Sequence, residues 1–139
     1  MLDLFIAAML AQGTPARADP CLAADAPTPA PRGCPVWQPL YRGDNGVVLS
    51  EPAPLRRSAN GFDLRVRLIW PADQEGGLRS GIAIYRFDCA AETAVLQHNI
   101  GYDARGRRLL GGPLTDAPTI ASPPGSPNRA ALDRFCPRR

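Results

Sequence analysis

Four cysteines, a single histidine and a serine set between a glycine and a proline are the first residues of this chain to weigh for chemistry. A zinc cluster would need closely spaced thiols or a Cys/His set. Cys21-x12-Cys34 and Cys89-x46-Cys136 contain no CxxC, and His98 alone cannot complete a cluster of usual spacing. Disulfides are the better use of an even number of thiols, provided that the chain leaves a reducing cytosol; inside one, Cys89 and Cys136 would be buried reduced thiols. Three pairings are open, and the sequence alone does not choose among them. Cys21–Cys34 with Cys89–Cys136 is preferred, because each bridge then joins segments that can be placed.

The other candidates for catalysis reduce to structure. His98 falls on an alternating run with Leu96 and Ile100, where a hydrogen-bonded structural histidine is expected rather than a general base. Ser126, in Pro124-Gly125-Ser126-Pro127, lacks the Gly-x-Ser-x-Gly frame of a nucleophile elbow, and helix capping accounts for it. Gly76-Gly77 and Gly111-Gly112 lack the spacing of a phosphate loop and read as turns. No catalytic residue, metal or cofactor is expected. A small hydrolase or metal enzyme is a third reading, which would need His98 in a cleft beside a perturbed carboxylate.

Arginine remains as a binding residue. All sixteen basic side chains are Arg, yet the net charge of +3 is too slight for the clustered basic stripe of a nucleic-acid binder. Arg65 and Arg67 share one face of a strand. If Arg86 lies beside them, the three form a basic patch able to engage an acidic polymer, an anionic lipid headgroup or an acidic protein, with Asp63 and Asp88 as partial counter-charges. Arg105, Arg107 and Arg108 cluster at a turn.

The elements that position these residues follow from period and punctuation. Phe62, Leu64, Val66, Leu68 and Trp70 alternate with Asp63, Arg65, Arg67 and Ile69, the pattern of a half-buried strand. In the segment 81–89, Ala83, Tyr85, Phe87 and Cys89 face one way and Ile82, Ile84, Arg86 and Asp88 the other. Further strands are expected at 36–41, 47–50, 94–102 and 107–110, with turns at 43–46, Asn60-Gly61 and 103–106. Residues 111–124 read as a Pro/Gly-rich connection. Ser126 then caps a helix with Pro127 at its first position, and helical spacing puts Ala131, Leu132, Phe135 and Cys136 on one side, with Arg129 and Asp133 free to pair on the surface.

The connections are hairpin-like and too short for parallel crossovers. The expected fold is α+β: an antiparallel sheet of about six strands, with one C-terminal helix packed on one face and tethered by a Cys89–Cys136 disulfide.

Ahead of this unit, Leu2–Ala11 is an apolar run of signal-peptide length, and Ala16-x-Ala18 is a small-x-small cleavage pattern. The division is therefore a signal peptide at 1–18, a Pro/Ala-rich, polyproline-like linker at 19–35 that adds little to a core, and a domain at 36–139. The run is too short for a permanent span. Ala18-Asp19-Pro20-Cys21 is also a poor lipidation box, so no transmembrane or lipid anchor is expected in the mature chain.

Trp37, the Phe62–Trp70 strand, Phe87-Asp88-Cys89 at a strand end, Tyr102-Asp103-x-x-Gly106, Ile120, Pro124-Gly125-Ser126 and Cys136 occur in an order that resembles the surface-adhesin protein E-like family of bacterial exported proteins. The resemblance covers residues 36–136. It implies a six-stranded antiparallel sheet whose C-terminal helix is held by a disulfide, here at Cys89 and Cys136, and a role in binding host or extracellular macromolecules. The segment with Cys21 and Cys34 stands outside the family pattern. The expected function is an exported, non-enzymatic envelope binding module in the periplasm or at the cell surface, contacting an envelope or extracellular macromolecule. The alternative is an accessory or structural periplasmic protein associated with another envelope component.

Overall fold

The structure, a computed structural model, describes residues 17–24 and 32–137. All but Arg17 and Ala18 of the expected signal peptide lie outside the described residues, as does the middle of the Pro/Ala-rich segment, 25–31. Among the described residues, eight strands and one α-helix follow in order: β1 (Gln38–Gly43), β2 (Gly46–Ser50), β3 (Arg56–Arg57), β4 (Gly61–Ile69), β5 (Ser80–Asp88), β6 (Thr93–Tyr102), β7 (Arg108–Pro113), β8 (Thr119–Ala121) and α1 (Pro127–Phe135). Every strand pair is antiparallel. The main path runs β1-β2-β4-β5-β6-β7, with β3 added to β4 and β8 to β6.

The six strands of that path are the six that sequence period and turns mark out, and the two extra strands correct the expected number. β3 and β8 are two and three residues long, too short to show a period, and they pair only with the ends of β4 and β6 that β2 and β7 leave uncovered. The connection expected over 111–124 is thereby shortened at both ends. Gly111-Gly112 lies inside β7 rather than in a turn, opposite Ile100 and Asn99.

One face of the sheet carries the core. Phe62, Leu64 and Val66 of β4, Ala83 and Phe87 of β5 and Ala94 of β6 are buried against Ala131, Leu132 and Phe135 of α1. The period-2 pattern of the strands and the period-3.6 pattern of the helix thus meet on one surface, as anticipated. Phe62 is the hinge of this packing, its ring 4.9 Å from that of Phe87 and 5.7 Å from that of Phe135.

Helix α1 starts as its sequence dictates. The Ser126 hydroxyl accepts from the Arg129 N–H at 3.2 Å and donates to the Pro123 carbonyl at 2.7 Å, and Pro127 follows at the first helical position. Such a cap contributes about 1 kcal/mol. The surface pair expected at Arg129–Asp133 is replaced by a longer reach: Arg129 pairs with Glu92, on the β5–β6 turn, at 3.0 Å and donates to the Ser122 carbonyl. The Cys89–Cys136 bridge closes the far end of the helix onto the end of β5.

The opposite face is covered where a linker was expected. Residues 19–24 dock across it, with Asp19 N–H donating to the Gly106 carbonyl at 3.1 Å and Ala24 N–H to the Ala104 carbonyl at 3.0 Å. Leu22 is buried there, and the Cys21–Cys34 bridge holds the segment. Composition alone hid this, because a single leucine among Ala and Pro leaves no period to read. Gly106 makes the docking possible: its φ is +83°, and a Cβ there would collide with the Asp19 carbonyl oxygen.

The β6–β7 turn is organised by Asp103. Its carboxylate accepts from the N–H groups of Arg105 at 3.0 Å and Arg107 at 2.9 Å and pairs with the Arg107 guanidinium at 2.6 Å. Desolvation works against the charge, but the backbone and side-chain bonds from Arg107, with that from Arg105, outweigh it and hold the Asp103 carboxyl below the ordinary 3.8. A lowered folded pKa gives stability that is present above the unfolded value and lost as pH falls through the folded one. We therefore expect Asp103→Asn to be less stable than the wild type at neutral pH and to lose less stability between pH 5 and 2. Denaturant titrations at a series of pH values check this, and equal acid slopes for the two proteins would refute it.

Candidate functional site

The arginines selected from the sequence lie on the sheet face away from α1, in successive rows. β4 presents Asp63, Arg65 and Arg67 to this face, and the register sets Asp63 between Arg56 of β3 and Arg86 of β5, Arg65 beside Ile84, and Arg67 between Leu49 and Ile82. Sharing a face does not make the three a patch.

Arg67 is taken out of it. Only 5% of the residue is exposed, and its guanidinium donates to the carbonyls of Cys21 and Ala23 at 3.3 and 3.4 Å, with Nε buried and unpartnered. Burial lowers its pKa, and Asp19 partly restores it. The docked N-terminal segment thus sits where a partner of Arg67 would have to bind, and Arg67→Glu would place a carboxylate against carbonyls. Such a variant reports on folding, not on recognition.

Arg65 is half exposed and engaged by Glu51 at 2.7 Å. Arg86 makes a two-pronged pair with Asp63, Nε to Oδ1 at 3.0 Å and Nη2 to Oδ2 at 3.3 Å, and this bond and charge raise its pKa. Arg56 approaches the same carboxylate only to 3.8 Å and is 72% exposed. One carboxylate is therefore shared by two guanidinium groups.

The next residue, Arg57, sits opposite Phe62 and so on the helix side of the sheet. Arg57 donates from Nη1 to the Phe135 carbonyl at 3.0 Å, at the carboxyl end of α1 where a cation is favoured. Arg56, Arg57, Ser58, Phe62, Asp63 and Arg86 together line a cavity of about 280 Å³. Of these, the sequence reading had singled out Arg86 as a binding residue. The missed signal was the Arg56-Arg57 doublet just before Asn60-Gly61: residues that precede a tight turn pair with those that follow it, which sets the doublet beside Phe62 and Asp63.

His98 is displaced from its expected neighbours by a bulge. β6 slips by one residue at Gln97, so that Leu96 pairs with Tyr85 on the helix side while His98 pairs with Ile84 on the other. His98 therefore shares its face with Ile100, not with Leu96. Ser126 is occupied as a cap. Among the described residues, no group of three His, Cys, Asp or Glu side chains is arranged to hold a metal ion. No helix among them is long and apolar enough to cross a membrane.

A second cavity, of about 210 Å³, lies where α1 leaves the sheet partly uncovered, lined by Leu40, Val66, Leu68, Tyr85 and Pro127 among others. Burial raises the pKa of the Tyr85 phenol there. Its walls are those of the core, whereas the charged groups gather at β3.

Both cysteine pairs are bridged as preferred, Cys21 to Cys34 and Cys89 to Cys136, one on each face of the sheet. Two such bridges suit an oxidising compartment rather than a reducing cytosol. No family model matches the chain, and no curated protein or solved structure matches it significantly.

Proposed function

We propose that this chain is an exported, non-enzymatic binding module of the bacterial envelope, akin to the surface-adhesin protein E-like proteins it resembles. Its contact surface is the part of the arginine-bearing sheet face that residues 19–24 leave open, with the adjoining turns, and its partner is an envelope or extracellular macromolecule. The observation that carries this reading is the pair of disulfides. One fixes α1 to the core face, and the other fixes the N-terminal segment to the opposite face. The sheet between them is held in one shape without help from a ligand, as a preorganised binding surface requires.

Mass spectrometry of the native protein and of its non-reduced peptides tests the reading. We expect a chain beginning at Asp19 with Cys21 linked to Cys34 and Cys89 to Cys136. A chain that retains Met1 and carries four free thiols would overturn export and the module together.

A second reading, an accessory periplasmic protein attached to another envelope component, is favoured by the β7–β8 edge. Leu109, Leu110, Leu114 and Ile120 are all exposed along it, and an open strand edge offers unpaired backbone groups to an added strand.

A further inference from the structure

The geometry points to a carbohydrate-binding site at the end of the sheet that α1 leaves open, with a neutral saccharide stacked on Trp70 and Tyr41 and hydrogen-bonded by Asp44 and Asn45. A cavity of about 360 Å³ lies there, between the β1–β2 turn, the end of β4 and Pro127 at the start of α1. Ligand clefts span roughly 300–1,000 Å³. This one adjoins the cavity beside Tyr85, with which it shares Val48, Leu68 and Pro127. Its floor belongs to the helix side of the sheet, so it stands apart from the arginine-bearing face and does not depend on it.

One row of the sheet makes that floor. Tyr41 pairs with Val48, Val48 with Leu68 and Leu68 with Gly81, on the side where Val48 and Leu68 join the core. The row crosses four strands, about 14 Å at the usual spacing. Glycines set the rings at its two ends. A Cβ at Gly43 would stand 2.8 Å from the Tyr41 Oη and 2.9 Å from its Cε1, so the phenol can lie along the end of β1 because residue 43 has no side chain. Trp70 turns its six-membered ring over Gly81, where a Cβ would stand 3.7 Å from Cη2. Both residues are half-buried, and among the described residues neither ring stacks on another aromatic side chain. The phenylalanines of the core are used otherwise, Phe62 packing on Phe87 and Phe135.

A sugar ring has a C–H face and a rim of hydroxyls. The first suits an aromatic surface, and the second needs side chains that accept and donate. Asp44 and Asn45 offer both. They are exposed at the rim of the cavity, and neither side chain has a partner among the described residues. An Asx turn would have spent the Asp44 carboxylate on nearby backbone; here it stays available. The same carboxylate disfavours an anion. A wholly apolar ligand would bury it unpaired. A quaternary ammonium needs rings drawn into a cage, and the row holds these two apart.

The experiment follows the Trp indole Nε1–Hε1 signals of the oxidised protein by NMR during titration with N-acetylchitotriose, cellotriose and maltotriose, the Trp70 signal being assigned by its loss in Trp70→Phe. A saturable shift of Trp70 is expected with at least one of the three, while Trp37, whose Nε1 is buried, stays in place. Asp44→Ala, a change at an exposed turn residue, should weaken that binding by about fivefold or more, and Trp70→Ala by about tenfold or more. Thermal melts establish that each variant is folded, and Asp44→Ala decides if Trp70→Ala is not. No saturable shift with any of the three sugars, or equal affinity in the wild type and Asp44→Ala, would overturn the site.

Tetramethylammonium and a decaproline peptide form the second arm. A saturable Trp70 shift with either, in a protein silent toward all three sugars, would overturn the saccharide assignment in favour of a cation or a proline-rich partner.

Discussion

Replacing Cys136 by Ser should lower the stability of the oxidised protein by about 4 kcal/mol, because it opens the 47-residue separation closed by the Cys89–Cys136 bridge. For a domain of this size that corresponds to a fall in Tm of about 10–20 °C. The bridge adds to the packing of Ala131, Leu132 and Phe135 on the sheet, which a helix this short needs. The helix is nine residues long, below the length at which isolated helices persist in water, and its own caps contribute only a small part of what is lost. The expected signature is a cooperative loss of α1 protection in hydrogen exchange before the sheet opens. A variant that melts with the wild type, with α1 still protected, would show that packing alone secures the helix.

The second large effect is expected at Phe62. This ring is 2% exposed and touches both Phe87 in the neighbouring strand and Phe135 in the helix. Phe62→Ala removes the contact that joins the two layers and leaves a hole that the rigid sheet cannot close, at a cost of about 3–5 kcal/mol. Phe62→Leu keeps most of the volume and should cost about 1–2 kcal/mol. Urea titrations decide: the midpoint should fall with the slope unchanged, and similar midpoints for Ala and wild type would contradict the packing described. Combined with Cys136→Ser the losses should not add, since both act on the docking of one helix.

These two residues belong to the part of the molecule that was legible from sequence. Alternation in β4 and β5, the Ser126-Pro127 start and the spacing of Ala131, Leu132 and Phe135 each state a period, and each period is sustained long enough to assign a face. The Asp44-Asn45 and 103–106 turns fix the hairpins that follow. β3 and β8 were not legible, because two or three residues carry no period and owe their pairing to strand ends exposed by neighbours. Nor was the docking of residues 19–24, since what holds it is backbone hydrogen bonds, the reach of Arg67 to two carbonyls and one leucine.

The candidate site was half legible for the same reason. Arg65, Arg67 and Arg86 do share a face, as their parity requires. What parity could not tell is which of them the fold would consume. Arg67 is covered by the N-terminal segment, Arg65 is engaged by Glu51, and Asp63 draws Arg56 and Arg86 together from two different strands. The bulge at Gln97 is a further case: one extra residue moves His98 away from the face shared by Leu96, and no propensity marks where a strand will slip.

The two bridges also define how the molecule would respond to being pulled. Cys21–Cys34 closes off the front of the chain and Cys89–Cys136 closes off β6, β7, β8 and α1. A load carried between the two ends could draw out only the stretch between the covalent loops, β1 to β5, about 55 residues or roughly 200 Å of extended chain. Everything after β5 would travel as a knot of fixed contour. Under load, a chain built in this way yields by a bounded length and keeps the segment 89–136 off the line of force.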